Sequence, residues 1–213
     1  MSDETAVRDA IMTAAVRHAA FDGWTERIVA QGARDAGYAP DAGERAFPDG
    51  VDELIAAFSE WADRCMAEEL ARHDVAALKV RERISLGVRL RLECLLPHRE
   101  AVRRLTAHCA LPGNALLGAR LTARTVDTIW YAAGDTATDF SYYTKRGLLA
   151  AVYGATVLYW LADESDGHPE TWAFLDRRLE DVMRIPKVRG AVERVLGGLP
   201  SPVRLWRAAR HRG

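Results

Sequence analysis

TIWYAAGDTATDFSYYTKRGLLAAVYGATVLYW, residues 128–160, carries five of the chain's six tyrosines and a short polar hinge, residues 134–139, at its middle. Upstream of the hinge, Thr122, Thr125, Val126, Ile129, Trp130 and Ala133 fall at i, i+3, i+4, i+7, i+8 and i+11, one face of a helix. Arg120, Arg124, Asp127 and Tyr131 line the opposite face. Downstream, Leu148 to Leu161 is apolar almost all round, which predicts a helix buried on most sides. Asp139 stands where it can cap that helix, with Phe140, Tyr142 and Tyr143 in the first turn. So many aromatics on an exposed helix start exceed what local packing needs, and they predict a docking surface.

Helical periodicity continues outward in both directions, and no period-2 run interrupts it. Helices are predicted over Thr5–Ala20, Trp24–Ala36, Asp41–Phe47, Val51–Arg72, about Ala76–Leu95 and Pro97–Cys109. They are punctuated by Gly23, Gly37, Pro40, the Pro48-Asp49-Gly50 turn and Pro112-Gly113. Pro169 opens a ninth, with Trp172, Phe174, Leu175, Leu179 and Val182 inward. The tail repeats the helical stripe at Val188, Ala191, Val192, Val195, Leu196 and Leu199 before Pro200 and Pro202 break it.

The expectation is an all-α fold of about nine or ten helices. Residues 1–50 form a head, 51–186 a helical body and 187–213 a basic amphipathic tail. At 213 residues, 49% hydrophobic and 28% charged, the chain is long enough to bury a core. The net charge of −1 conceals an asymmetry. Residues 1–75 hold sixteen Asp/Glu against seven Arg, a net of −9. Residues 187–213 hold seven Lys/Arg against Glu193, a net of +6. A basic amphipathic end carrying Trp206 predicts attachment to an anionic membrane, through Lys187, Val188, Arg189, Val192, Val195, Leu196, Leu199 and Trp206. Cys65, Cys94 and Cys109 are odd in number and lack metal or redox spacing, so they read as reduced thiols of a cytoplasmic protein. No signal-peptide pattern is visible, and the apolar run 148–161 is too short to span a bilayer.

Catalytic and metal patterns are not found. The six histidines are scattered, with His98 and Glu100 reading as solvated cap groups. No nucleophile elbow, phosphate loop or dinucleotide fingerprint occurs. Asp127, Asp135 and Asp139 read as helix caps and hinge bonds. The chain is expected not to be an enzyme, and to hold no metal and no cofactor.

The short helices of the head followed by a helical body resemble the TetR architecture. A body of that kind raises the alternative of a transcriptional regulator sensing an apolar ligand. The acidic front half argues against DNA binding, because phosphate contacts supply most of DNA affinity. A closer resemblance lies in Trp130, Ala133-Gly134-Asp135, Thr138-Asp139-Phe140 and Tyr143-Thr144-Lys145-Arg146, with the downstream FLDRRLEDVM and the upstream LPHREAVRRLTAHCALPGN. These resemble the coenzyme Q protein nine family of ubiquinone-biosynthesis accessory proteins. The chain departs from that pattern at Ser141 and Tyr142, where the family often has Asn and, in animals, Trp.

The resemblance implies a TetR-like fold that has exchanged DNA binding for a pocket holding an isoprenoid lipid or quinone precursor. On this chain the pocket is expected at Leu117, Leu121, Val126, Ile129 and Trp130 before the hinge. After it come Leu149, Val152, Tyr153, Thr156 and Trp160. Asp139, Phe140, Tyr142 and Tyr143 are expected to dock the di-iron hydroxylase acting late in ubiquinone synthesis. The expected partners are the lipid, that hydroxylase and the surface of the bacterial inner membrane, with a homodimer as one assembly and no nucleic acid.

Overall fold

A computed structural model of the chain describes residues 3–134 and 140–182. Its helices are α1 (Asp3–Asp22), α2 (Glu26–Asp35), α3 (Asp41–Ala46), α4 (Val51–Leu70), α5 (Val80–Leu95), α6 (Arg99–Cys109), α7 (Ala115–Ala132) and α8 (Phe140–Ala162). A ninth, α9, is described over 169–182, and no strand occurs among the described residues. The breaks fall where glycine and proline stand. Two of the three single-turn 3₁₀ segments, 96–98 and 112–114, are set by Pro97 and Pro112. The third, 75–77, delays α5 to Val80, four residues beyond its expected start. Arg83 holds that turn by donating to the carbonyls of Ala76, Leu78 and Ala133.

α1 packs against α2, α3, α4 and α6, α4 against α5 and α7, and α7 against α8. Gly32 is the closest approach of α1 and α2: a Cβ there would stand 2.6 Å from Ala15 Cβ and 2.7 Å from the Ile11 carbonyl. At the start of α4, Gly50 takes φ +68°, a conformation that glycine adopts without a Cβ clash. The carboxylate of Glu26 then accepts from Val51 N–H at 3.1 Å, capping the helix from the neighbouring α2. Trp24 Nε1 donates to the Ala101 carbonyl at 2.9 Å, and one apolar core runs through the head and the body. At the other end, Asp163 accepts from N–H and hydroxyl groups of both Ser165 and Thr171 and fixes the first turn of α9. Those bonds, Ser165's first, hold its carboxyl well below the ordinary carboxylate range.

Three expectations change. Cys65 and Cys94 are joined in a disulfide, with Cα atoms 6.4 Å apart, so only Cys109 is a free thiol. Packing of α4 on α5 brings together residues 29 apart in sequence, which spacing rules cannot see. His98 is not a solvated cap. It is half-buried edge-on to Phe58 and Trp61, with ring centroids 5.8 and 5.4 Å away, and burial pushes its pKa down. α8 is also less enclosed than its composition suggests, since Ala151 and Leu158 face solvent, Leu158 at 58% exposure.

Candidate functional site

Apolar stripes of α4, α5, α6, α7 and α8 converge without filling the space between them. They enclose a cavity of about 270 Å³. Phe58 and Ser59 come from α4, Arg91 and Leu95 from α5, and Val102, Leu105, Thr106 and Cys109 from α6. α7 gives Gly118, Leu121, Thr122 and Thr125, and α8 gives Tyr153, Gly154, Val157 and Leu158. Two glycines explain the shape. A Cβ on Gly118 would lie 2.9 Å from Cys109 Cβ, so its absence lets α7 start close against the end of α6. Gly154 has no non-neighbouring atom within 4 Å of where its Cβ would be, leaving room unfilled. Gly118 and Thr122 also line a groove of about 630 Å³ between α7 and α8, walled by Ala119, Ala123, Val126, Gly147 and Ala150.

One end of the cavity is polar and deeply buried. Arg91, 4% exposed, donates through Nε to Asp63 Oδ1 at 2.7 Å and through one terminal nitrogen to Tyr153 Oη at 2.5 Å. Its other terminal nitrogen reaches Ser59 Oγ at 3.0 Å, and Thr125 Oγ1 donates to Asp63 Oδ1 at 3.0 Å. Burial works against the Arg91 charge, but Tyr153 and Asp63 outweigh it and push its pKa up; at neutral pH the carboxylate of Asp63 is the charge that matches the guanidinium. Burial raises the Tyr153 pKa, so its phenol keeps its proton at neutral pH. Burial also raises the Cys109 thiol, with Asp52 adding to the effect, so no thiolate faces the cavity.

Of the residues expected to line a pocket, Leu121 and Tyr153 are on the cavity wall and Val126 is on the groove. Leu149, Val152, Thr156 and Trp160 are buried on the adjacent stripe of α8, in contact with packed core. The cavity stripe, 153-154-157-158, is displaced from theirs by one residue, about 100° of helix. Ile129 and Trp130 are core at the far end of α7, and Leu117 is half-buried against that core. Arg91 and Asp63 were missed, although each carries a signal. Arg91 occupies the buried stripe Ile84-Val88-Arg91-Leu95, and Asp63 stands between Ala62 and Met66 on the inward face of α4. A charge on an apolar stripe asks for a buried partner.

Tyr143 is 75% exposed on the first turn of α8, while Asp139 and the side chains of Phe140 and Tyr142 lie outside the described residues. So do Asp135 and the membrane positions Lys187, Val188, Arg189, Val192, Val195, Leu196, Leu199 and Trp206. Asp127 pairs with Arg146 across the groove. Among the described residues, no helix is long and apolar enough to cross a membrane.

The model of the COQ9 family matches residues 115–186, from the start of α7 through α9. Over 207 residues the chain is 30% identical to the Xenopus laevis protein named ubiquinone biosynthesis protein COQ9-B, mitochondrial, covering 92% of this chain and 70% of that protein. The chain belongs to the COQ9 family. Its Homo sapiens relative, ubiquinone biosynthesis protein COQ9, is 31% identical over 92% of this chain and 65% of its own length. The Drosophila melanogaster relative is 31% identical over 88% and 59%. The chain thus spans about three-fifths of the length of these curated relatives. The fold is TetR-like: a TetR transcriptional regulator from Nitrosomonas europaea superposes with a TM-score of 0.67 at 26% identity, covering 83% of this chain and 97% of that one.

Proposed function

We propose that the chain is a non-catalytic accessory protein of ubiquinone biosynthesis that carries a polyprenylated quinone precursor at the membrane and delivers it to the hydroxylase that modifies its ring. The observation behind this reading is the cavity of about 270 Å³, which shares Gly118 and Thr122 with the wall of the α7–α8 groove, in a chain of the COQ9 family. The cavity alone is near the lower edge of ligand pockets, about 300–1,000 Å³. It suits a ring and the first part of a tail, with the neighbouring groove as the proposed seat for more of the tail. Burying a tail is favourable by about 0.8 kcal/mol per CH₂ against water but close to neutral against lipid. Loading from a bilayer therefore depends on shape and proximity, which a basic amphipathic tail at 187–213 would supply. Tyr143, with Asp139, Phe140 and Tyr142, is the proposed docking surface for the hydroxylase.

Mass spectrometry of the organic extract of the purified protein tests the reading. A prenylated aromatic or quinoid molecule in roughly stoichiometric amount is expected, and an extract holding only bulk membrane phospholipid would refute it. The structural likeness to a TetR regulator keeps a second reading in view, a ligand-responsive DNA binder. Against it, α3, at the recognition-helix position, has Asp41, Glu44 and a single basic residue, Arg45, whose charge is taken up by Asp41. A salt-sensitive mobility shift on genomic DNA fragments would favour the regulator.

A further inference from the structure

The polar end of the cavity has hydrogen-bonding capacity that its own residues do not use. Tyr153 Oη accepts from Arg91 but donates to no described residue, and the same holds for Ser59 Oγ. Both line the cavity and are among its most buried residues, whereas Leu158 and Leu121 lie toward the surface. Two hydroxyls, each held by a terminal nitrogen of Arg91, therefore stand with donor capacity to spare at the deep end of a largely apolar chamber. We infer that this deep end seats the oxygen-bearing head of a neutral ligand, with Tyr153 and Ser59 donating to a carbonyl- or ether-type oxygen and the apolar body running outward toward the α7–α8 groove. The inference rests on the reading of the cavity as a ligand site and adds the chemistry and direction of what it takes.

Charge decides against an anion. Arg91 would attract a carboxylate or phosphate if its charge were unmatched, but Asp63 matches it at 2.7 Å with both side chains buried. An anionic head would bring a second negative charge to one positive charge in a site with little water. Asp63 Oδ2, buried without a partner, adds negative potential behind the pair. A cationic head is disfavoured too, because Arg91 lines the cavity and Asp63 does not. A neutral oxygen is left, and a buried donor with no acceptor is the feature that rewards it. A ring held this way is sheltered within the carrier during transport, and it must be released to the next protein rather than displayed at the mouth.

Calorimetry on the delipidated chain, residues 1–213, tests this with three probes of one body: heptylbenzene, para-heptylacetophenone and para-heptylbenzoate. The ketone should bind about tenfold tighter than heptylbenzene, and the near-isosteric carboxylate more weakly than the ketone by at least that factor. Tyr153→Phe should erase most of the ketone's advantage while heptylbenzene binding persists, which shows an intact cavity. Ser59→Ala should do the same to a smaller degree, and it carries the variant test if Tyr153→Phe does not fold. Equal affinity of wild type for ketone and heptylbenzene, or a carboxylate bound as tightly as the ketone, would overturn the head seat while leaving the cavity as a ligand site. If none of the three binds, the cavity reading falls and the head seat with it.

Discussion

Small residues serve opposite purposes at the α1–α2 and α7–α8 junctions. In the head, Gly32 permits contact: a Cβ would meet Ala15 and the Ile11 backbone at under 3 Å, and neither can withdraw cheaply. In the body, a Cβ on Gly154 would find no non-neighbouring atom within 4 Å, and Gly154 lines the cavity. The same residue type marks a close-packed seam in one place and unfilled volume in the other. Packing at about 0.74 density is the rule in protein interiors. A cavity wall with glycine at position 154 keeps space that leucine could have filled.

The largest effect should follow from Asp63→Ala, which leaves Arg91 charged and alone beside the cavity and should cost about 3–5 kcal/mol in urea unfolding. Replacing both partners by apolar residues, Asp63→Leu with Arg91→Met, should recover most of that loss. A single variant as stable as wild type would mean that the cavity wall is wet and the contrast with the head is smaller than described. Reducing Cys65–Cys94, which closes a 29-residue separation, should cost about 2–4 kcal/mol. Thiol titration of the denatured, unreduced protein should find one reactive thiol; three would place the cysteines back where their spacing suggested. Gly32→Ala should destabilise by about 1–3 kcal/mol through overpacking.

Asp163→Ala should lower the melting temperature modestly at neutral pH. Because the folded-state pKa of Asp163 is depressed, its contribution is present above the ordinary carboxylate value, about 3.9, and is lost as pH falls below it. Wild type and variant should therefore converge in melting temperature on acidification, and a constant difference down to low pH would contradict the cap. The smallest stability effect belongs to Gly154→Leu. It should leave the melting temperature unchanged or slightly higher, because leucine favours helix over glycine by somewhat under 1 kcal/mol and meets open space.

The same division separates what could be read in the sequence from what could not. Helix limits were legible because local chemistry sets them: Gly23, Pro48-Asp49-Gly50, Pro112-Gly113 and Pro169 each stand at a boundary. The exposed face of α7, Arg120, Arg124, Asp127 and Tyr131, follows from period alone. The cavity is assembled from five helices, and a stripe on one helix cannot reveal which of two adjacent stripes meets it. Of the residues expected to line a pocket, Tyr153 and Leu121 fall on the cavity stripes, Val152 and Thr156 lie one residue from them and Trp160 two. The Cys65–Cys94 bond and the half-buried His98 depend on partners 29 or more residues distant, which periodicity does not encode. Family resemblance was legible because Ala133-Gly134-Asp135 and Tyr143-Thr144-Lys145-Arg146 lie within the matched span 115–186.

On the proposed function, the space beside Gly154 is kept open for a ligand. The most direct measurement is quantitative mass spectrometry of organic extracts from wild type and Gly154→Leu, purified side by side at equal folded concentration. A near-stoichiometric prenylated aromatic or quinoid molecule is expected in the wild-type extract and at least a tenfold loss in the variant, with melting temperatures within a few degrees. Equal amounts of that molecule in both extracts, with the variant folded, would show that it does not occupy the cavity.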